Sequence, residues 1–123
     1  MLGKSDLIVF VATSDAAKAQ KFYEETLGLI LVSDDQFALI FEANGTMLRI
    51  QKVGQVNPHG YTALGWKVGD ITKEVDRLSK RGVRFARYEG LIQDQNGIWT
   101  APSNAKVAWF TDPDGNILSL TEF

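Results

Sequence analysis

The chain has 123 residues, 45% of them hydrophobic and 23% charged, and these proportions are those of a single globular domain rather than a disordered segment. Its formal net charge of −2 gives no electrostatic basis for binding nucleic acid or an anionic membrane surface. Because the chain has no cysteine, disulfides, thiolate nucleophiles and cysteine-based zinc sites are excluded.

The first half predicts a strand, a helix and three further strands. Residues 6–12 are mostly β-branched or aromatic and predict a buried strand. This run is far too short to span a membrane, and we expect a cytoplasmic protein. Ser14 or Asp15 can cap a helix that runs to about Leu27, where Gly28 is suited to terminate it. The following strands are predicted over residues 29–33, 36–42 and 46–53, the last two joined by an Asn-Gly hairpin turn.

The second half follows the same order of strand, helix and further strands, with four strand candidates after the helix. Residues 62–68 predict a strand, and Asp70 caps a helix that runs to about Arg81 and is ended by Gly82. Strands are then predicted over residues 83–88, 97–101, 107–110 and 117–121. Residues 55–60 contain Asn-Pro and His-Gly pairs that are typical of a linker. We therefore predict one domain, 1–123, made of a first module over about 5–54 and a second over about 60–123.

The last strands are joined by an Asp-Pro-Asp-Gly-Asn turn, in which the proline and glycine favour the required backbone angles. The whole ending, FTDPDGNILSLTEF, resembles the signature ending of the vicinal oxygen chelate superfamily (glyoxalase, bleomycin resistance and dioxygenase proteins). The segment SDAAKAQKFYEETLGL is similar to the first-helix pattern of that family. The resemblance implies an α+β fold of two tandem βαβββ modules, which form a cup-shaped, mostly antiparallel sheet of eight strands.

Metal-using members of this family hold their metal with histidine and glutamate side chains. The matching positions here are Ile8, Arg49, Ala63 and Ser119. An apolar side chain cannot bind a metal, and an arginine remains positively charged. The one histidine, His59, lies between Pro58 and Gly60 and is interpreted as an exposed linker residue. We therefore predict no metal ligand, no cofactor and no catalytic residue.

Strand alternation predicts which side chains face the cavity of such a sheet. If Ser119 faces it, so do Ile8 and Ala63, whereas Trp66 faces a helix. The predicted ligand-binding residues are Phe10, Met47, Arg49, Gln51, Tyr61, Lys67, Trp99, Trp109 and Ser119.

Two features of this set allow more than one interpretation. The guanidinium of Arg49 can grip a carboxylate or another anion, pair with Asp6 or Glu42, or lie in water at the mouth of the cavity. The rings of Trp99 and Trp109 can stack on a ligand or pack in the core.

The leading functional hypothesis is a metal-independent protein of the bleomycin-resistance type that holds an organic, neutral or anionic ligand in the sheet cavity. The alternative is a metal-dependent glyoxalase- or dioxygenase-like enzyme, a lyase or a dioxygenase, with relocated ligands. A third possibility is a partner domain whose cavity is filled by its own aromatic side chains and which exposes an apolar patch elsewhere. We expect a homodimer in each case, because such a sheet has two open edges and a concave face.

Overall fold

The computed structural model describes residues 1–123. The chain divides into two compact units, Met1–Asn57 and Pro58–Phe123. Each unit contains one four-stranded sheet and one main helical segment in the order strand, helix, three strands, and a short 3₁₀ turn (Leu2–Lys4) precedes the first strand. The α+β class and the two tandem βαβββ modules are thus confirmed. The eight strands lie in two sheets of four rather than in one continuous sheet.

The sheet of the first unit has the strand order β1-β4-β3-β2. Strand β1 runs parallel to β4, and the other neighbours are antiparallel. The hairpin between β3 and β4 turns at Asn44 and Gly45, which have φ angles of 48° and 84°, as the Asn-Gly pair predicts. The strands are β1 (Ile8–Thr13), β2 (Ile30–Asp34), β3 (Ala38–Ala43) and β4 (Thr46–Lys52).

The helical segment of the first unit changes type along its length. Helix α1 (Ala16–Lys21) is capped by Asp15, whose carboxylate accepts a hydrogen bond from the backbone N–H of Lys18 at 3.1 Å. A π-helical turn (Phe22–Thr26) follows, and Gly28 ends the segment with a φ of 77°. The predicted helix is therefore present, but its second half is wider than an α-helix.

The sheet of the second unit has the order β5-β8-β7-β6, with β5 parallel to β8. Helix α2 (Ile71–Lys80) is capped by the side chain of Asp70 and ends before Gly82, which has a φ of 93°. Neither helical segment is long and apolar enough to cross a membrane. The strands are β5 (Thr62–Lys67), β6 (Trp99–Thr100), β7 (Lys106–Thr111) and β8 (Ile117–Glu122).

The strand predicted over residues 83–88 is wrong, because this segment forms no regular ladder. Its backbone is tied to β7 by a hydrogen bond from the N–H of Ala86 to the carbonyl of Trp109 at 2.7 Å. The side-chain amide of Gln93 satisfies two further backbone groups, donating to the carbonyl of Ala86 and accepting from the N–H of Tyr88. The side chain of Gln93 thus makes the hydrogen bonds that a neighbouring strand would otherwise make to this segment.

Candidate functional site

Within each unit, one face of the sheet is covered by the helical segment, and we call it the helix face; the opposite face is called the open face. In the first unit, the buried ring of Tyr23 lies 6.0 Å from the ring of Phe41 on the helix face. In the second unit, α2 packs against β7 and β8. The buried apolar strand residues of the two helix faces are Val11, Leu39, Phe41, Leu48, Ile50, Ala108, Phe110, Leu118 and Leu120.

The open face of the first unit is apolar around one arginine. Arg49 on β4 is paired with Phe10 on β1 and with Ile40 on β3, so these three side chains form one row across the sheet. Met47 and Gln51 lie on the same face, one pleat to either side. The alternation predicted for Phe10, Met47, Arg49 and Gln51 is therefore confirmed by the strand register.

Arg49 forms neither of the two ion pairs that were considered for it. Asp6 precedes β1, which begins at Ile8 rather than at residue 6. Glu42 directs its carboxylate to the N–H of Gly45, 2.6 Å away. The half-buried guanidinium of Arg49 therefore stands among apolar neighbours without either carboxylate.

The charge of Arg49 does act on a more distant group. Hydrogen bonds from the backbone N–H groups of Phe37 and Ala38 hold the pKa of Asp35 below its usual value. The positive charges of Arg49 and Lys52 lower this pKa further, although desolvation opposes the shift. The charge of Arg49 thus contributes to holding Asp35 in its ionised form.

The open face of the second unit is built from two rows of residues. Gly65, Ser119 and Trp109 are paired across β5, β8 and β7. The next row contains Lys67, Thr121, Val107 and Trp99. Four predicted ligand-binding residues, Lys67, Trp99, Trp109 and Ser119, are therefore brought to one face.

Three aromatic rings meet on this face, and we call Tyr88, Trp99 and Trp109 the aromatic cluster. The ring centroids of Trp109 and Tyr88 are 5.5 Å apart and nearly perpendicular, and those of Trp109 and Trp99 are 6.0 Å apart. Sequence analysis missed Tyr88 because it placed this residue in a strand predicted over residues 83–88, whereas the segment is irregular in the structure. Trp66, in contrast, packs on Phe110 with a centroid separation of 6.5 Å, which confirms its predicted position on the helix face.

Beside the aromatic cluster, the sheet surface is lined by small residues. The side chain of Ser119 is buried on the open face, opposite Gly65. A Cβ atom at position 65 would lie 2.6 Å from the Oγ of Ser119, so there is no room here for a larger residue. The Trp109 ring therefore lies beside a part of the sheet surface where Gly65 and Ser119 project little from the backbone.

Tyr61 does not follow the alternation that the sequence predicted for β5. The register shifts between Thr62 and Leu64, so Ala63 lies at a bulge, and face parity does not carry through it. Tyr61 precedes the strand, and its ring stacks on that of His59 at a centroid distance of 5.0 Å. His59 is exposed, as expected of a linker residue.

The residues at the positions that match the family's metal ligands do not fit a metal. Ile8 is exposed on the open face of the first unit, and Arg49 is the positive group described above. In the second unit, Ala63 lies at the bulge and Ser119 offers a single hydroxyl. Nowhere in the structure do three histidine, cysteine, aspartate or glutamate side chains form a group that could hold a metal ion.

Comparison with known proteins places the chain in a family. The model of the Glyoxalase/Bleomycin resistance protein/Dioxygenase superfamily matches residues 6–120. A superfamily member from Sphaerobacter thermophilus has a similar structure, with a TM-score of 0.73, 27% identity, and 95% of this chain and 97% of that chain covered.

Two more distant structures share the fold. A glyoxalase family protein from Enterococcus faecalis has a TM-score of 0.77 and 23% identity, over 99% of this chain and 100% of that one. A lactoylglutathione lyase from Agrobacterium tumefaciens has a TM-score of 0.73 and 16% identity, over 96% and 93% of the two chains. No curated protein matches the sequence. The family match over nearly the whole chain, together with the two βαβββ units, shows that the chain belongs to the Glyoxalase/Bleomycin resistance protein/Dioxygenase superfamily.

Proposed function

We propose that the protein binds a small organic molecule, neutral or anionic, on the open faces of its sheets without the help of a metal. The observation that carries this proposal is the aromatic cluster beside Ser119, a position at which metal-using relatives have a ligand. A hydroxyl and flanking aromatic rings are suited to hold an organic ring or chain.

The charges on the two open faces limit the kind of ligand. Arg49 is the centre of the first open face, and Lys67 lies at one end of the second. Arg49 can form a bidentate pair with a carboxylate, whereas a cationic ligand would be repelled. Glu42 lies on the same face as Arg49, but its carboxylate is already bonded to a backbone N–H. A neutral or anionic ligand is therefore favoured.

Thermal unfolding of metal-stripped protein tests this function. We expect no change in Tm with Ni²⁺, Zn²⁺, Mn²⁺ or Fe²⁺, and an increase with at least one compound of a library of aromatic carboxylates and neutral aromatics. A ligand at a hundred times its Kd stabilises the folded state by about 2.7 kcal/mol. A rise of several degrees with one metal would contradict the proposal and favour the metal-dependent glyoxalase- or dioxygenase-like enzyme.

Two variants then report which open face the bound compound contacts. Arg49→Gln removes the charge on the first face, and Trp109→Leu removes the central ring of the aromatic cluster on the second. The matched control is Trp66→Phe, since Trp66 lies on the helix face and its replacement leaves both open faces intact. Binding that is unchanged in both variants would exclude the open faces as the site.

We also propose that the protein forms a homodimer through exposed apolar side chains of its first unit. Ile8 and Phe10 are 53% and 54% exposed, and Ile30 is 64% exposed. A monomer rarely leaves so many large apolar side chains of one sheet in water. Sedimentation equilibrium should give twice the chain mass of 13.6 kDa. A monomer mass at micromolar concentration would contradict this proposal.

A further inference from the structure

A pocket of about 390 Å³ lies in the second unit, between the C-terminal end of α2 and the turn at residues 94–97. Its volume is within the range of small-molecule sites. None of the residues that line it belongs to the open face, so it is distinct from the candidate site described above. We call it the arginine pocket, and its lining includes Ser79, Arg84, Phe85, Arg87, Gln95 and Asn96.

The arginine pocket carries two positive charges, and no carboxylate lines it. Arg84 makes no hydrogen bond or ion pair in the structure. Arg87 makes one long contact, from its Nη1 to the carbonyl of Gln93 at 3.5 Å. Lys80 of the neighbouring helix, in contrast, pairs with Asp76 at 2.9 Å. Neither guanidinium of the pocket is therefore paired with a carboxylate, although the net charge of the chain is −2.

Every polar side chain of the arginine pocket can donate hydrogen bonds. The two guanidinium groups are obligatory donors, and the amides of Gln95 and Asn96 and the hydroxyl of Ser79 can also donate. The side chains of Gln95 and Asn96 have no hydrogen-bond partner in the structure. A dense set of donors with two positive charges matches an oxyanion that has several acceptor oxygens.

Two carbonyl groups in the last turn of α2 are engaged by the chain itself. The carbonyl of Leu78 accepts hydrogen bonds from the N–H groups of Arg81 and Val83, and that of Ser79 accepts from Gly82. The last turn of the helix is therefore closed by its own backbone.

The wall opposite the helix is held in place by two side chains. Asp94 Oδ1 accepts hydrogen bonds from the N–H groups of Asn96 and Ile98 at 2.8 and 2.9 Å. Gln93 Nε2 bridges the carbonyls of Ala86 and Gly97 at 2.9 and 2.8 Å. The backbone segments that carry the arginines and the amides are thus tied together before any ligand binds.

We propose that the arginine pocket binds the phosphate group of a small phosphorylated molecule. A phosphate dianion offers three terminal oxygens and two negative charges, which match two guanidinium forks and the adjacent amide donors. A carboxylate offers two oxygens and one charge, and would leave part of the donor set unused. This site is independent of the ligand proposed for the open faces.

Isothermal titration calorimetry with inorganic phosphate tests the site directly. We expect saturable binding of one phosphate per chain, with acetate and chloride at the same ionic strength giving no saturable signal. Arg84→Gln should weaken phosphate binding about tenfold or more, since it removes a charge-assisted pair. Asn96→Asp should weaken it similarly, because it places a negative charge in the pocket.

The control is Lys80→Gln, which removes the same charge close to the pocket without altering its lining. We expect this variant to bind phosphate within about twofold of the wild-type affinity, since exposed charges act weakly through water. Thermal unfolding without phosphate establishes that each variant is folded. Absence of saturable binding, an equal response to chloride or acetate, or equal losses in Arg84→Gln and Lys80→Gln would each overturn the proposal.

Discussion

Replacing Phe110 with alanine is expected to lower the free energy of unfolding by about 3–5 kcal/mol, the usual cost of removing a large buried ring. Phe110 is 1% exposed, and its ring lies between Phe85, at a centroid distance of 5.4 Å, and Trp66, at 6.5 Å. Neither of these rigid aromatic rings can fill the space that the Phe110 ring occupied, so a cavity remains. Urea denaturation measures the loss, with the m-value checking that unfolding stays two-state.

The neighbouring residue provides the matched control for this variant. Trp109 is adjacent in sequence but lies on the open face, and its ring is half-buried. We expect Trp109→Ala to cost clearly less stability than Phe110→Ala, although it removes more atoms, because solvent already reaches that ring. A loss in Trp109→Ala as large as that in Phe110→Ala would mean that Trp109 is a core residue and would weaken the proposed ligand site.

The contrast between Phe110 and Trp109 also shows what the sequence could predict. Side chains alternate strictly along a regular strand, so one buried position fixes the face of its neighbours. This reasoning correctly assigned Trp66 to the helix face and Lys67 to the open face. The helix ends at Gly28 and Gly82 were equally predictable, because a positive φ favours glycine locally.

The errors occurred where distant residues decide the outcome. Residues 83–88 have the composition of a strand, but Gln93 supplies the hydrogen bonds that a strand partner would have made. No local sequence pattern predicts that the side chain of Gln93 takes the place of a neighbouring strand. At Ala63 the bulge interrupts the alternation, and the predicted direction of Tyr61 fails for that reason. The possible partners of Arg49 could be named from the sequence, but only the fold shows that neither pairs with it.

The proposed site depends on a turn that can be predicted from the sequence. Trp109, the central ring of the aromatic cluster, and Ser119 lie on β7 and β8, which are joined by the turn at residues 112–116. Asp112 is 5% exposed, and its carboxylate accepts hydrogen bonds from the N–H groups of Asp114 and Asn116 and from the side-chain amide of Asn116, at 2.9–3.0 Å. One carboxylate thus organises the turn that positions the two strands.

Replacing Asp112 with alanine is therefore expected to cost about 2–4 kcal/mol of unfolding free energy, because three donors around a buried site lose their acceptor. Asp112→Asn should cost less, since its side-chain oxygen can still accept some of these bonds. The control is Asp76→Ala, which removes an exposed carboxylate whose pairing with Lys80 contributes at most about 1 kcal/mol. We also expect Asp112→Ala to weaken any ligand that stacks on Trp109, because the hairpin loses its fixed geometry. Equal stabilities of Asp112→Ala and Asp76→Ala would show that the turn is held by its backbone bonds alone, and the carboxylate would then have no structural role.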